Sequence, residues 1–206
     1  MHRTNLLFSI FVASACLLSP LTAAAQERST GFRFGFGWHD LGGDVGASLD
    51  GAVDAEFTVL VPVSFLRVGA GASWASFDVD GAEASWSQVR FHTLVGVPFR
   101  LSERVHPYVE GRWTFRHLRP EDDRYFGGED KLLRDFKSTG HGLEAVGGVA
   151  LFITPRVAVD LSAAVGSFGI SPDLSDQGLG SVDSGVSRRF HVGLTWHPTH
   201  GRAVGS

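Results

Sequence analysis

Cysteine, long apolar runs and clustered basic residues are all scarce in this chain of 206 residues. The only cysteine is Cys16, so disulfides, cysteine-ligated zinc and thiol catalysis are excluded from everything that follows it. No stretch beyond residue 25 approaches the ~20 apolar residues that a membrane-spanning helix needs. No basic run exceeds two residues, and the formal net charge is −4. Nucleic acid is therefore not expected as a partner, because its binding calls for a concentrated positive patch.

The first 25 residues have the pattern of a secretory signal peptide. They begin with the basic Arg3, continue into a short apolar run and end on Ala23-Ala24-Ala25. This order predicts a signal peptide over residues 1–25 that is cleaved after its last alanine. A lipoprotein signal using Cys16 is the alternative, although Ala13 stands where a leucine usually precedes the lipidated cysteine.

Alternation with a period of two runs from residue 30 to residue 197, within residues 26–206 that we expect to form a single domain. The clearest cases are Phe32-Phe34-Phe36-Trp38 and Phe190-Val192-Leu194-Trp196, with glycine, short polar residues or single charges between the apolar ones. A period of two places the two sets on opposite faces of a β-strand. A soluble barrel keeps its apolar face inside, and a barrel in lipid reverses this polarity.

Short and long breaks follow one another between the alternating segments. The short ones, with turn chemistry, are 62–64, 100–103 and 154–156. The long polar ones are 41–51, 78–84, 119–139 and 169–184. This order predicts an all-β fold, an eight-stranded antiparallel up-and-down transmembrane β-barrel with both termini at the tight-turn end. The expected strands are 30–40, 52–61, 65–77, 85–99, 105–118, 140–153, 156–168 and 185–197.

The face opposite the apolar one carries charges separated by glycine. An eight-stranded barrel encloses a bore only just wide enough for side chains, and a charge buried there must be paired. We therefore predict a salt-bridged, largely closed interior, with a polar conduit or proton path as the alternative. The predicted interior charges are Arg33, Glu56, Arg67, Arg90, Glu110, Arg112, Glu144, Asp160 and Arg189.

Aromatic residues near the predicted strand ends are expected to form the two interfacial girdles of a barrel in lipid. The same residues would also suit the core of a soluble barrel. They are Phe32, Trp38, Trp74, Phe77, Trp86, Phe99, Tyr108, Trp113, Phe168 and Trp196.

With its signal peptide, eight alternating strands and long loops at one end, the chain resembles the small outer-membrane β-barrels of the OmpA/OmpX type. The resemblance implies a porin-like outer-membrane barrel domain over residues 26–206 in the bacterial cell envelope. Outer-membrane lipid and lipopolysaccharide would be its surroundings. In that family the last strand is read by the barrel-assembly machinery, and Phe190, Val192, Leu194 and Trp196 would fill the signal positions. Ten residues follow Trp196 here, whereas the family usually ends on that aromatic.

Three functions remain open on this scaffold. The first is a non-enzymatic barrel with a structural or surface-interaction role. A soluble lipocalin-like barrel is disfavoured, because the polar face has too much glycine and too little lysine for a solvated exterior. Another possibility is a lipid A-modifying enzyme, which the resemblance also allows. None of the candidate catalytic residues lies at a recognisable spacing around a serine. They are His39 with Asp40, His92, His117, and His141 with Glu144.

No metal or cofactor is predicted. The acidic stretch from Arg119 to Lys131 matches no calcium-loop spacing, and its basic residues would repel a cation. His197 and His200 supply only two transition-metal ligands.

Removal of the signal peptide predicts a protein that begins at Gln26 and carries a net charge of −5. N-terminal sequencing and intact-mass measurement of the protein from the cell envelope test this. A chain that retains Met1, or one that carries lipid on Cys16, would contradict it.

Overall fold

Eight antiparallel strands form one closed barrel in the computed structural model, which describes residues 29–43, 51–78, 85–120, 138–172 and 183–198. Each strand pairs with its neighbours in the chain, and the last pairs with the first. This confirms the predicted eight-stranded up-and-down architecture. Within the described ranges, no helix is long and apolar enough to cross a membrane. The strands are β1 Gly31–Gly43, β2 Ala52–Val63, β3 Leu66–Asp78, β4 Ser85–Pro98, β5 Val105–Pro120, β6 Ser138–Thr154, β7 Val157–Pro172 and β8 Asp183–Trp196.

Three short turns join β2 to β3, β4 to β5 and β6 to β7, at the end where β1 begins and β8 ends. In two of them a hydroxyl accepts a backbone N–H, which satisfies a donor that the turn would leave unpaired. Ser102 Oγ accepts from the nitrogen of Val105 at 3.1 Å. Thr154 Oγ1 accepts from the nitrogen of Val157, also at 3.1 Å.

The first turn lies slightly later in the chain than predicted. Pro62 and Val63 remain paired within β2, and the chain reverses at Ser64 and Phe65. Ser64 has a φ of 59°, the left-handed conformation that tight hairpins require. Proline is tolerated in the strand because it occupies a place near the strand end.

At the other end the strands run further than predicted. β1 reaches Gly43, β5 reaches Pro120 and β7 reaches Pro172, all inside stretches expected to be loops. The connections at this end, through residues 44–50, 79–84, 121–137 and 173–182, lie outside the described residues.

The outside of the barrel wall is apolar through most of its height. Phe36 is 69% exposed although it lies in the middle of β1, and Leu143 on β6 is 66% exposed. The residues between these outward positions are mostly buried, and most of them are polar or small, with Leu60, Leu94 and Val146 as apolar exceptions. The two faces therefore have the polarity that the alternation predicts for a barrel in lipid.

Toward the end with the long connections, the polarity of the wall inverts. Trp74 faces outward, but along the same strand Ser76 follows on the outside and Phe77 is buried inside. The inward apolar residues at this height form a cluster that we call the apolar cap, and Trp86 packs against it. Its members are Leu41, Ala52, Ala75, Phe77, Leu118, Phe168 and Ile170.

Four of the aromatics predicted for the girdles instead face the interior: Phe77, Trp86, Tyr108 and Phe168. Trp86 pairs in register with Phe77 and packs against the apolar cap. Phe77 and Phe168 belong to the apolar cap, because the alternation has changed phase where they lie. Tyr108 is 2% exposed, since it has the same parity in β5 as the inward-facing Glu110. Four of the predicted girdle residues are exposed on the outer wall, namely Trp38, Trp74, Trp113 and Trp196.

Candidate functional site

Ion pairs cross the bore between the apolar cap and the short turns. In the half nearer the short turns, three arginines converge on the carboxylate of Glu110. Its carboxylate accepts from Arg33 Nη2 and from Arg67 Nη2, both at 2.7 Å. Arg112, two residues along the same strand, donates to it at 2.9 Å. Three guanidiniums from β1, β3 and β5 therefore share one carboxylate.

Glu56 on β2 occupies the next position along the bore. It accepts from Arg112 Nη1 at 2.9 Å, from Arg90 Nη2 at 3.0 Å and from Arg189 Nη1 at 2.7 Å. Because Arg112 contacts both Glu56 and Glu110, the two glutamates belong to one network.

Glu144 on β6 extends the same network toward the apolar cap. Arg189 Nη2 and Arg116 Nη2 donate to it at 2.6 Å, and Arg90 Nη1 donates at 3.1 Å. Arg90 and Arg189 thus bridge Glu56 and Glu144. At the end of the network nearest the apolar cap, the Arg116 guanidinium lies 4.2 Å from the ring centroid of Phe168, which is a favourable cation–π geometry.

Two aspartates complete the network at its opposite ends. Toward the short turns, Asp160 accepts from the Tyr108 hydroxyl at 2.6 Å and lies 3.5 Å from Arg33 Nε. Toward the cap, Asp54 lies 3.1 Å from His191 Nε2 and 3.5 Å from Arg189 Nη1.

Glycine stands directly across from the carboxylates in the strand register. A methyl group on Gly96 would come 2.8 Å from the Cγ of Glu110, which is too close for ordinary packing. The absence of a side chain at Gly96 leaves room for the long side chain of Glu110 to cross the bore. The cross-strand pairs are Gly35 with Glu56, Gly96 with Glu110, Gly166 with Glu144 and Gly193 with Asp160.

All nine predicted interior charges lie inside the barrel, each no more than 6% exposed, and the contacts above join them. Asp54 and Arg116 were missed by the sequence reasoning, and they make six arginines and five carboxylates among the described interior residues. Parity could have found both, because Asp54 precedes Glu56 by two residues and Arg116 follows Arg112 by four. Parity also places three buried histidines inside: His39, His92 and His191.

One gap among these side chains lies between Arg112, Arg189 and His191, and it is too narrow to hold a water molecule. In the described part of the barrel, ion pairs therefore cross the bore, and the apolar cap lies between them and the long connections.

The residues considered for an enzyme are separated by the fold. His39 is buried inside, whereas Asp40 lies on the outer wall and pairs with Arg188 at 3.2 Å. His141 is also outside, whereas Glu144 is inside. Adjacent or odd-spaced residues of a strand point to opposite faces, which is why these pairs do not meet.

One serine does approach a histidine in the interior. Ser187 Oγ lies 3.0 Å from His39 Nε2, and His39 Nδ1 lies 3.9 Å from Asp54 Oδ2. A nucleophile must also be reachable by substrate, but Ser187 is 1% exposed and His39 is fully buried. His39 also packs against Phe77 of the apolar cap. The contact therefore serves as a hydrogen bond within the polar network.

The metal candidates gain no support from the geometry. No group of three histidine, cysteine or acidic side chains with metal-site geometry occurs in the described ranges. Nearly all of the acidic stretch 119–131 and His200 lie outside those ranges. His197 is buried, with Nδ1 3.3 Å from Ser29 Oγ.

No protein-family model matches the chain, and no curated protein matches it in sequence. Solved structures do match. Neisserial surface protein A gives a TM-score of 0.58 at 16% identity, covering 82% of this chain and 96% of that one. The outer membrane protein OprG from Pseudomonas aeruginosa gives 0.53 at 14% identity, covering 82% and 95%.

This chain has the fold of the small outer-membrane barrels. The attachment invasion locus protein Ail of Yersinia pestis, in complex with the heparin analogue sucrose octasulfate, also shares it. The TM-score is 0.50 at 12% identity, covering 82% of this chain and 98% of that one. At such low sequence identities, the similarity shows only that this chain has the same fold.

Replacing Glu110 with glutamine in this barrel should lower the free energy of unfolding by about 3–5 kcal/mol, because three guanidiniums lose a buried carboxylate. Glutamine keeps the shape of the side chain, so the change isolates the charge. The measurement is urea-dependent unfolding in detergent micelles. Glu103→Gln is the matched control, since Glu103 is exposed in a turn. Equal stability of the two variants would contradict a stabilising role for the network.

Proposed function

We propose that this chain is a non-enzymatic protein of the bacterial outer membrane, with a structural or surface-interaction role and a closed interior. The observation that carries the proposal is the polarity of the wall, with large apolar side chains outside and paired charges inside. Phe34, Phe91 and Phe190 are each at least half exposed on the outside, which water disfavours and a bilayer accommodates. The fold shared with outer-membrane proteins supports the same location.

The inversion of the wall supports one depth for the barrel in the proposed membrane. Along β1 the outward residue changes from Trp38 to Asp40, and along β5 it changes from Phe115 to His117. The hydrocarbon boundary would pass between them, with aromatic residues on its apolar side as expected for an interfacial girdle. The apolar cap would then lie at or above the lipid headgroups, inside a rim whose outer surface is polar.

A closed interior leaves the outer surface and the long connections as the places of interaction. The short turns would face the periplasm and the long connections the outside, where a ligand or lipopolysaccharide would be met. The ion pairs between arginines and carboxylates, together with the apolar cap, oppose the passage of ions. Ser187, which is the serine closest to a catalytic arrangement in the described interior, is inaccessible, and this supports a non-enzymatic role.

Insertion would require recognition by the barrel-assembly machinery, and β8 is the strand we propose for it. Its four signal positions lie on the outer wall and are between 46% and 52% exposed. β8 is also the strand that closes the barrel against β1. The four residues are Phe190, Val192, Leu194 and Trp196.

Cell fractionation and planar-bilayer recording together test the proposed function. The protein should sediment with outer membranes, resist extraction by high salt and alkali, and migrate differently on a gel before and after heating. Reconstituted protein should give no steady conductance, because ion pairs cross the described bore. Recovery in the soluble periplasmic fraction would overturn the membrane assignment. A stable conductance of porin size would replace the closed barrel by a channel.

A valine-to-arginine comparison tests the proposed depth. Val95 lies within the apolar outer band, whereas Val186 lies near the start of β8, beyond the inversion. Val95→Arg should cost up to about 2–4 kcal/mol, and Val186→Arg about 0–1 kcal/mol, since the cost of a lipid-facing charge falls toward the interface. Folding titrations in lipid vesicles measure both. Similar costs at the two positions would contradict the assigned boundary.

A further inference from the structure

A groove lies on the outer wall at the height where the polarity inverts. Its volume is about 520 Å³. It runs over β7, between β6 on one side and β8 on the other. The lining residues are Trp113, His141, Gly142, Leu143, Ser167, Phe168, Gly169 and Ser184.

The strand register explains why the wall is indented there. His141 on β6 pairs with Gly169 on β7, which in turn pairs with Ser184 on β8. Ser167 pairs with Leu143 on one side and with Val186 on the other. Glycine and serine on the central strand therefore lie between larger side chains on β6 and β8.

The groove has two kinds of recognition chemistry. On the β6 side, the rings of Trp113 and His141 stack with centroids 5.4 Å apart and planes 13° apart. Both residues are exposed, so this aromatic wall can be reached by a sugar. Ser167 and Ser184 add hydroxyls.

A cation, Arg188 on β8, lies beside the groove and outside its lining. Arg188 pairs in register with Val165, two residues along β7 from Ser167. Its side chain is 64% exposed, and its described ion pair is with Asp40 at 3.2 Å. Most of the N–H donors of its guanidinium therefore remain open to solvent, and their planar arrangement binds phosphate well. None of the described residues that line the groove carries a carboxylate.

Small side chains continue the indentation along the apolar wall toward the short turns. Ala163 on β7 pairs with Gly147 on β6, and Val165 pairs with Ala145. A Cβ placed on Gly147 would meet no atom within 4 Å. This shallow surface has room for extended hydrocarbon chains beneath a polar headgroup.

We propose that the groove binds an acylated, phosphorylated sugar lipid, with its sugar on Trp113 and His141, its phosphate at Arg188 and its acyl chains along the small-residue surface. The proposal rests on the proposed outer-membrane location, because only there would such a lipid meet the groove at this depth. It narrows the general contact with lipopolysaccharide to one place on the barrel. An ordinary glycerophospholipid would use the acyl surface without needing the aromatic wall.

Native mass spectrometry of the full-length protein in detergent micelles tests the site. Three lipids are titrated separately: bisphosphorylated lipid A, its dephosphorylated form and phosphatidylglycerol. Wild-type protein should retain lipid A in preference to both others. Arg188→Gln should weaken lipid A binding about tenfold, through loss of a charged hydrogen bond, and leave the dephosphorylated lipid unaffected. Ser167→Leu, which fills the groove, should weaken both sugar lipids.

Two control variants separate the groove from a general effect of the surface. Arg119→Gln removes another exposed charge from the outer wall, on β5 outside the groove. Thr93→Leu makes an exposed outward position on β4 apolar. Neither should change lipid A binding, and the heat-dependent gel shift checks that every variant is folded.

The proposed lipid site would be wrong if Arg188→Gln and Arg119→Gln lost the same amount of lipid A binding. It would also be wrong if the wild-type protein retained lipid A and phosphatidylglycerol equally. In that result the protein would still sediment with outer membranes, and the proposed function would stand. Recovery of wild-type protein in the soluble fraction would instead remove the proposed function, and the lipid site with it.

Discussion

Sharing of each interior glutamate among three arginines is the interaction on which the rest of this barrel depends. A bore of this size is only just wide enough for side chains, so every buried guanidinium needs a carboxylate within reach. Glycine across from each acid follows from that need for space. A register slip of one residue would turn these charges outward and the apolar residues inward. The network therefore fixes which face of every strand is the inside.

The barrel wall suits two surroundings along its length. Through the apolar band the side chains have the order expected in lipid, with charges such as Glu56 inside and rings such as Phe57 outside. Near the long connections the order is that of a small soluble protein, with Phe77 inside and Asp78 outside. Because both orders have a period of two, the strands continue through the change without a break in pairing. The apolar cap is the core of this second part.

Period and turn chemistry predicted the number of strands, their order, the closing of the sheet and the face of all nine named charges. The predictions failed where the phase of the alternation changes. Phe168 was placed on the outer face of the predicted strand 156–168 but lies inside, and the end of β7 beyond it was expected to be a loop. Tyr108 was assigned from its nearness to a strand end although its parity placed it inside. The individual ion pairs could not be derived, since Arg189 and Glu56 meet only through a register set by eight strands together.

The long separation of the ion-pair partners along the chain constrains the order in which this barrel can be made. Arg33 on β1 lacks its Glu110 until β5 has been added, and Glu56 on β2 lacks Arg189 until β8 arrives. A partly built sheet would expose these charges to hydrocarbon, where an unpaired charge is costly. Stepwise insertion of single hairpins is therefore unfavourable for this sequence. In the proposed outer-membrane location, a nearly complete sheet would therefore have to form before these strands enter lipid.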